Sequence, residues 1–192
     1  MSSNKWAKNV ILVDAVFLDK MGYIFRFNYE RLLKRDVNKA DLAIWLESAM
    51  LDGGLRVGDN TVQVVVLFDE NAEGFDNFLP SDFNKELNGK GFKGPLGEFR
   101  LAAFPAFSKV VSLKSFFLQT LENILQAEEV ERLVVVGDNE ECGEEIADRL
   151  TKNTDKELTI LTTAPIKGEG FKQDLLGYSL TRALGISPDE MQ

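Results

Sequence analysis

Apolar residues along the chain form two alternating patterns, short continuous runs and stripes at helical spacing. The run at 9–14 lacks polar alternation, which is typical of a strand buried on both faces of a parallel sheet. Further runs predict strands at 61–68, 98–104, 132–137 and 158–163. Amphipathic stripes predict helices at 17–35, 39–51, 113–127, 140–150 and 174–184. This alternation predicts a three-layer α/β/α fold with a mainly parallel five-stranded sheet.

The connection between the second and third predicted strands is unusually long. We interpret 69–97, which is rich in Gly, Asn and Phe, as an insertion in a single domain that spans 1–192. Its aromatic rings either fasten the insertion to the body, form a homodimer contact or stack on RNA bases: Phe75, Phe78, Phe83 and Phe92. The third alternative makes neighbouring lysines the nucleic-acid contacts: Lys85, Lys90 and Lys93. We favour the first two.

Composition narrows the classes of function. The chain has 31 acidic and 22 basic residues, and a net charge of −9 disfavours general binding to phosphate backbones. Residues 84–114 are an exception, with six basic and two acidic side chains. The absence of histidine excludes His-based triads and imidazole metal ligands, and the single cysteine excludes an internal disulfide.

With no membrane-length apolar run and no signal segment, we expect a cytoplasmic protein without a membrane partner.

Acidic residues follow three of the predicted strands. Ligands of open α/β sheets bind beyond the carboxyl ends of the strands, so these side chains are the candidate site: Asp14, Asp69, Asp138, Glu140 and Glu141. Carboxylates brought close together repel and need a cation or a proton between them. Mg²⁺ or Mn²⁺ is the natural partner, and a metal-activated water attacks phosphodiesters. The competing interpretation is that each acid caps the helix that follows it.

Two segments resemble the PIN-like superfamily, and within it the NYN ribonuclease-like domains. They are the first strand, Val10–Asp14, and the segment Leu133–Glu141, an apolar strand followed by a small residue and then acids. The resemblance covers roughly 9–163. It implies a metal-dependent ribonuclease fold with Asp14, Asp138 and Glu140 as catalytic residues, and the acidic strand ends offer Asp14, Asp69, Asp138 and Glu141 as metal ligands. The chain is also similar to an uncharacterised family of Bacteroidetes proteins, which implies no function.

The chain departs from the NYN pattern at two places. Where those domains carry an Asn after the first aspartate, this sequence has Val16-Phe17-Leu18. Where they carry an acid before the fourth strand, it has Leu113–Phe117 and no carboxylate until Glu122. The missing acid favours a degenerate member that binds RNA or another partner without cleaving. The alternatives are an active Mg²⁺- or Mn²⁺-dependent endoribonuclease and a small-molecule phosphohydrolase.

Overall fold

A seven-stranded sheet forms the centre of the protein in a computed structural model, which describes residues 5–153 and 155–192. The strands are β1 (Asn9–Asp14), β2 (Ala40–Asp41), β3 (Asn60–Asp69), β4 (Phe78–Leu79), β5 (Gly91–Gly94), β6 (Gly97–Ala106), β7 (Arg132–Val136), β8 (Glu157–Thr162) and β9 (Lys172–Leu175). The sheet order is β5-β6-β3-β1-β7-β8-β9, and all pairs are parallel except β5 with β6. β2 and β4 pair separately. A mostly parallel α/β fold is therefore confirmed.

The predicted count of five strands is wrong, because the two outer strands lack an apolar run. β5 consists of two glycines around Phe92 and Lys93, and it pairs with β6 through a tight turn inside the insertion. β9 has the polar sequence KQDL and pairs with only one neighbour, β8. Edge strands have one unpaired side and are exposed, so their sequences carry little hydrophobic signal. The predicted helix at 174–184 consequently begins later, at Leu176.

In the described part of the chain, four of the five α-helices connect strands, and the fifth follows the last strand. They are α1 (Ala15–Leu33), α2 (Leu42–Asp52), α3 (Leu113–Gln126), α4 (Asn139–Thr151) and α5 (Leu176–Ala183). A π-helical turn at Phe83–Leu87 and a 3₁₀ turn at Pro188–Met191 complete the set. Side chains cap the first four α-helices at their N-termini: Asp14, Asp41, Ser112 and Asp138. No helix in the described part of the chain is long and apolar enough to cross a membrane.

Alternate residues of the central strands enter two different hydrophobic clusters. Ile11 and Val13 of β1 pack with buried residues of α1, α2 and α5. Val10 and Leu12 pack instead with buried residues of α3 and α4. Because successive side chains of a strand point to opposite faces, both faces of β1 are buried. This burial explains why its sequence is a continuous apolar run.

Most of the aromatic side chains of the insertion are buried in the first of these clusters. Phe75, Phe78 and Phe83 are each no more than 3% exposed, and the Phe83 ring stacks on Phe68 of β3 at 4.3 Å between centroids. The Asp19 carboxylate of α1 accepts hydrogen bonds from insertion backbone amides, including that of Asn77 at 2.9 Å. These rings therefore fasten the insertion to the body and are not available to stack on bases.

Candidate functional site

The strand order creates a topological switch point between β1 and β7. From β1 the chain adds β3 and β6 on one side, and it then returns to add β7, β8 and β9 on the other side. The helices that follow these strands therefore diverge at β1 and β7, and the crevice between them is where open α/β sheets bind ligands. Asp14 ends β1 and Asp138 lies two residues beyond β7. Two of the predicted site residues thus lie at the switch point.

A pocket of about 290 Å³ opens at this point between the N-terminal ends of α1, α3 and α4. We call it the acidic pocket, and we define it by the charged side chains that line it: Asp14, Lys20, Lys114, Asp138 and Glu141. Phe17, Phe117 and Cys142 form part of its wall. The structure therefore brings together three of the five acids that the sequence singles out, and it adds two lysines.

Asp14 directly precedes α1 and is held in place by a hydrogen bond from that helix. Its Oδ1 accepts a hydrogen bond from the backbone N–H of Phe17 at 3.1 Å, which caps α1. Burial raises the pKa of the Asp14 carboxyl to about 6, against the opposing effect of the Phe17 and Val16 amides. The charges of Asp138 and Glu141 raise that pKa further, so the three acids interact electrostatically.

Asp138 plays the same structural part for α4. Its Oδ1 accepts hydrogen bonds from the backbone N–H groups of Glu140 and Glu141, both at 3.1 Å. A carboxylate at a helix N-terminus satisfies free N–H groups and interacts favourably with the helix dipole. The capping interpretation therefore holds for both aspartates, although both also face the acidic pocket.

The other two candidate acids lie outside the acidic pocket. The Oδ1 of Asp69, at the end of β3, accepts hydrogen bonds from the backbone and side-chain nitrogens of Asn71, at 2.8 and 3.1 Å. It stabilises the turn that starts the insertion. Glu140 is exposed on the first turn of α4 and is not among the residues that line the pocket.

Two lysines of the acidic pocket were not among the sequence candidates. Lys114 lies in the first turn of α3, where its ammonium group is 3.0 Å from the Glu145 carboxylate and 3.3 Å from the backbone oxygen of Glu141. The hydrogen bond with Glu145 raises the pKa of Lys114. Lys20 is exposed on the second turn of α1. Both lysines reach the pocket from helices, Lys20 from α1 and Lys114 from α3, so their position depends on helix packing and not on the strand-end pattern.

The donor set of the acidic pocket is a poor fit to a divalent metal. Across residues 5–153 and 155–192, no three acidic or cysteine side chains are grouped so that they could hold a metal ion. Asp14 and Asp138 each use one oxygen as a helix cap, and Lys114 brings positive charge to the same pocket. Mg²⁺ needs several oxygen ligands in near-octahedral geometry. Cys142 offers no substitute, because burial raises the pKa of its thiol to about 12.

The three lysines predicted to contact nucleic acid are all exposed and belong to the insertion. Lys85 lies in the π-helical turn, Lys90 directly precedes β5, and Lys93 lies within β5. None of them lines the acidic pocket.

Comparisons with known proteins give a family but no activity. No curated protein matches the chain, and no solved structure matches it. A family model described as a family of unknown function (DUF6621) matches residues 3–191. That match takes in every strand and every α-helix of the fold. The chain therefore belongs to this family of unknown function.

Proposed function

We propose that this protein is a PIN/NYN-like domain that no longer cleaves RNA and acts by binding single-stranded RNA without a metal ion. The observation that carries the proposal is the Lys114 side chain in the acidic pocket, in the region where NYN domains carry an acid. The proposal includes a three-layer α/β/α arrangement, which the buried clusters on the two faces of β1 support.

The charges of the acidic pocket support loss of the metal. Three carboxylates without a partner would repel one another and attract a divalent cation. Lys20 and Lys114 supply positive charge from the protein itself, and an ammonium group also repels a metal ion. The helix caps at Asp14 and Asp138 reduce the oxygens left for coordination.

Exposed basic residues of the insertion support RNA as the partner. Lys85, Lys90 and Lys93 lie on one contiguous segment within the basic stretch 84–114, in a protein whose net charge is −9. Contacts of lysine with phosphates release counterions and give affinity that falls with salt. Such contacts need neither a metal nor a catalytic group.

Fluorescence anisotropy with a labelled oligouridine, in EDTA and at several salt concentrations, tests this binding. We expect saturable binding that the triple change Lys85→Glu, Lys90→Glu and Lys93→Glu weakens by about tenfold or more. A matched triple change of exposed lysines elsewhere should leave the affinity within about twofold: Lys39→Glu, Lys152→Glu and Lys167→Glu. Equal losses in the two triple variants would contradict the proposal.

An active Mg²⁺- or Mn²⁺-dependent endoribonuclease is the second candidate. The interaction among Asp14, Asp138 and Glu141 favours it. Burial is the main cause of the raised pKa of Asp14, and the charges of Asp138 and Glu141 raise that pKa further, a repulsion that a metal ion would relieve. Incubating the same oligonucleotide with Mn²⁺ and following its length distinguishes the two candidates. Cleavage that Asp14→Asn abolishes would establish the nuclease, whereas intact RNA supports the binding domain.

Self-association and location are the remaining parts of the proposal. Homodimerisation would have to use residues other than the buried rings of the insertion, such as Phe104 and Phe107, which are 46% and 54% exposed. A monomeric mass by light scattering would refute it. The proposal also includes a cytoplasmic location, which the free Cys142 supports because an unpaired thiol suits a reducing compartment.

A further inference from the structure

A second pocket lies at the carboxyl end of β8 and beside β9, and it shares no lining residue with the acidic pocket. Its volume is about 360 Å³, which falls within the range of small-molecule sites, about 300–1,000 Å³. We call it the aromatic pocket, and we define it by its rings and hydroxyl groups: Phe25, Tyr29, Tyr178, Thr162, Thr163 and Thr181. Ligands of α/β proteins bind at this edge of the sheet.

The rings of the aromatic pocket are fixed by their neighbours. The Tyr29 hydroxyl lies 2.7 Å from Thr181 Oγ1, which connects α1 to α5. The Phe25 ring packs directly on Gly177, where a Cβ atom would lie 2.9 Å from two of its carbons. Glycine at this position therefore lets the ring form a wall of the pocket. A wall held in this way is present before any ligand arrives, which lowers the entropic cost of binding.

The lining of the aromatic pocket carries no charge. None of the nine described residues that line it is acidic or basic, although charged residues make up 28% of the chain. At one end, Thr163 donates hydrogen bonds from its amide and hydroxyl groups to Asn139 Oδ1, at 3.2 and 3.1 Å. Burial of a charged ligand group without a partner is costly, whereas hydroxyl groups satisfy neutral donors and acceptors. The lining therefore selects a neutral ligand.

We propose that the aromatic pocket binds a neutral ligand with a planar aromatic ring and at least one hydrogen-bonding edge. The ring packs against Phe25 and Tyr178. The Thr163 and Thr181 hydroxyls already donate to Asn139 Oδ1 and to the backbone oxygen of Gly177, so their remaining lone pairs accept hydrogen bonds from the polar edge of the ligand. Tyr178 is 67% exposed and stands at the rim, where it covers the ligand from the solvent side. This site goes beyond RNA binding and does not depend on the acidic pocket.

Adenosine is a suitable probe, and AMP is its charged counterpart. We expect a titration of the ¹⁵N-labelled full chain with adenosine to give saturable amide shifts at Thr163, Gly177 and Tyr178. The amides of Asp14 and Asp138 should not move. AMP should bind at this pocket about fivefold or more weakly, because its phosphate has no partner there.

Two tyrosine variants make the test specific. Tyr178→Ala should weaken adenosine binding by about fivefold, the loss of one aromatic contact. Tyr23→Ala is the matched control, since Tyr23 is 57% exposed and does not line the pocket. Both changes are at exposed rings, so melting curves should show that both variants fold.

Several outcomes would overturn the proposal. They are the lack of saturable shifts at these amides with millimolar adenosine, equal affinity for AMP, and equal weakening by the two tyrosine variants. Amide shifts that depend on the protein concentration and not on the adenosine concentration would also overturn it. Such shifts would show that a second copy of the chain occupies the pocket.

Discussion

The acidic pocket and the aromatic pocket lie at the same end of one sheet, yet their chemistry is opposite. Around the acidic pocket, α1 and α4 begin at aspartates that cap their free N–H groups. Beside the aromatic pocket, Leu175 precedes α5 without a side-chain cap, and β8 ends in threonine. Each parallel strand delivers its last residues to this end. In these two places the residues at the strand end and before the helix match the charge of the pocket beside them.

The two pockets also differ in how their polar groups are stabilised. Its carboxylates are stabilised by helix amides and accompanied by Lys20 and Lys114. The aromatic pocket has no charged lining residue to stabilise, and its hydroxyl groups form hydrogen bonds with neutral partners. Four changes test this contrast.

The largest expected effect comes from Asp14→Asn. Because the pKa of Asp14 in the native protein is about 6 and its ordinary value is 3.8, the native state binds the proton more tightly than the unfolded state. The contribution of this carboxyl to stability is therefore largest below about pH 4 and is lost as the pH rises through about 6. Asparagine keeps the cap and removes the charge, so it should stabilise the protein at pH 7 by about 2 kcal/mol. Urea unfolding at pH 4 and pH 7 measures this.

Asp52 supplies the control for this pH dependence. Burial, together with the charge of Asp174, also raises its pKa to about 6, and it lies far from the acidic pocket in sequence. Asp52→Asn should remove a separate part of the pH dependence, so the double variant should be flatter than either single variant. An Asp14→Asn protein with an unchanged pH profile would contradict the account.

Gly137→Ala tests the rigidity of the acidic pocket's wall. A Cβ atom there would lie 2.8 Å from two carbons of the Phe117 ring, which is 1% exposed. Overpacking of this kind costs about 1–3 kcal/mol. Gly177→Ala in the aromatic pocket should cost less, because the Phe25 ring is only partly buried and a helical alanine offsets the strain. Thermal unfolding of both variants gives the order, and the reverse order would contradict it.

Asp138→Ala should destabilise the protein by about 1–2 kcal/mol, since it removes the acceptor for the amides of Glu140 and Glu141. Glu140→Ala is the matched control on the same turn, and its exposed side chain should contribute less than about 0.5 kcal/mol. Denaturant unfolding compares them. Equal effects would mean that Asp138 is not a structural cap.

Lys114→Asp has the smallest expected effect on the stability of the fold and the most specific expected effect on metal binding. It places a carboxylate at a lining position of the acidic pocket and removes a cation from that pocket. Titration calorimetry should detect Mn²⁺ binding to this variant and none to Lys114→Gln, which only removes the charge. Mn²⁺ binding by both variants would show that charge alone excluded the metal.

Sequence reasoning recovered the parts of the fold that are buried on both sides. β1 matched its predicted range, β3 extends one residue further at each end, and β7 ends one residue earlier. β5 and β9 were not predicted, because an edge strand pairs with a neighbour on one side only and its sequence need not be apolar. The helix predicted at 17–35 occupies Ala15–Leu33, since Asp14 starts it at once and Lys34 ends it in a left-handed conformation.

The candidate site was recovered in part. The rule that ligands bind at strand ends correctly selected Asp14, Asp138 and Glu141. These residues line one pocket because β1 and β7 are neighbours in the sheet. Asp69 lies outside the pocket because β3 extends beyond the end of β1. Lys114 and the aromatic pocket were not anticipated, since both depend on side chains that only helix packing brings together.

The central proposal is that the acidic pocket binds no divalent metal ion. The most direct test is the melting temperature of the protein in EDTA and in millimolar Mn²⁺, with Asp138→Asn measured alongside. We predict the same melting temperature in both conditions for the natural sequence. A rise in Mn²⁺ that Asp138→Asn abolishes would contradict the account.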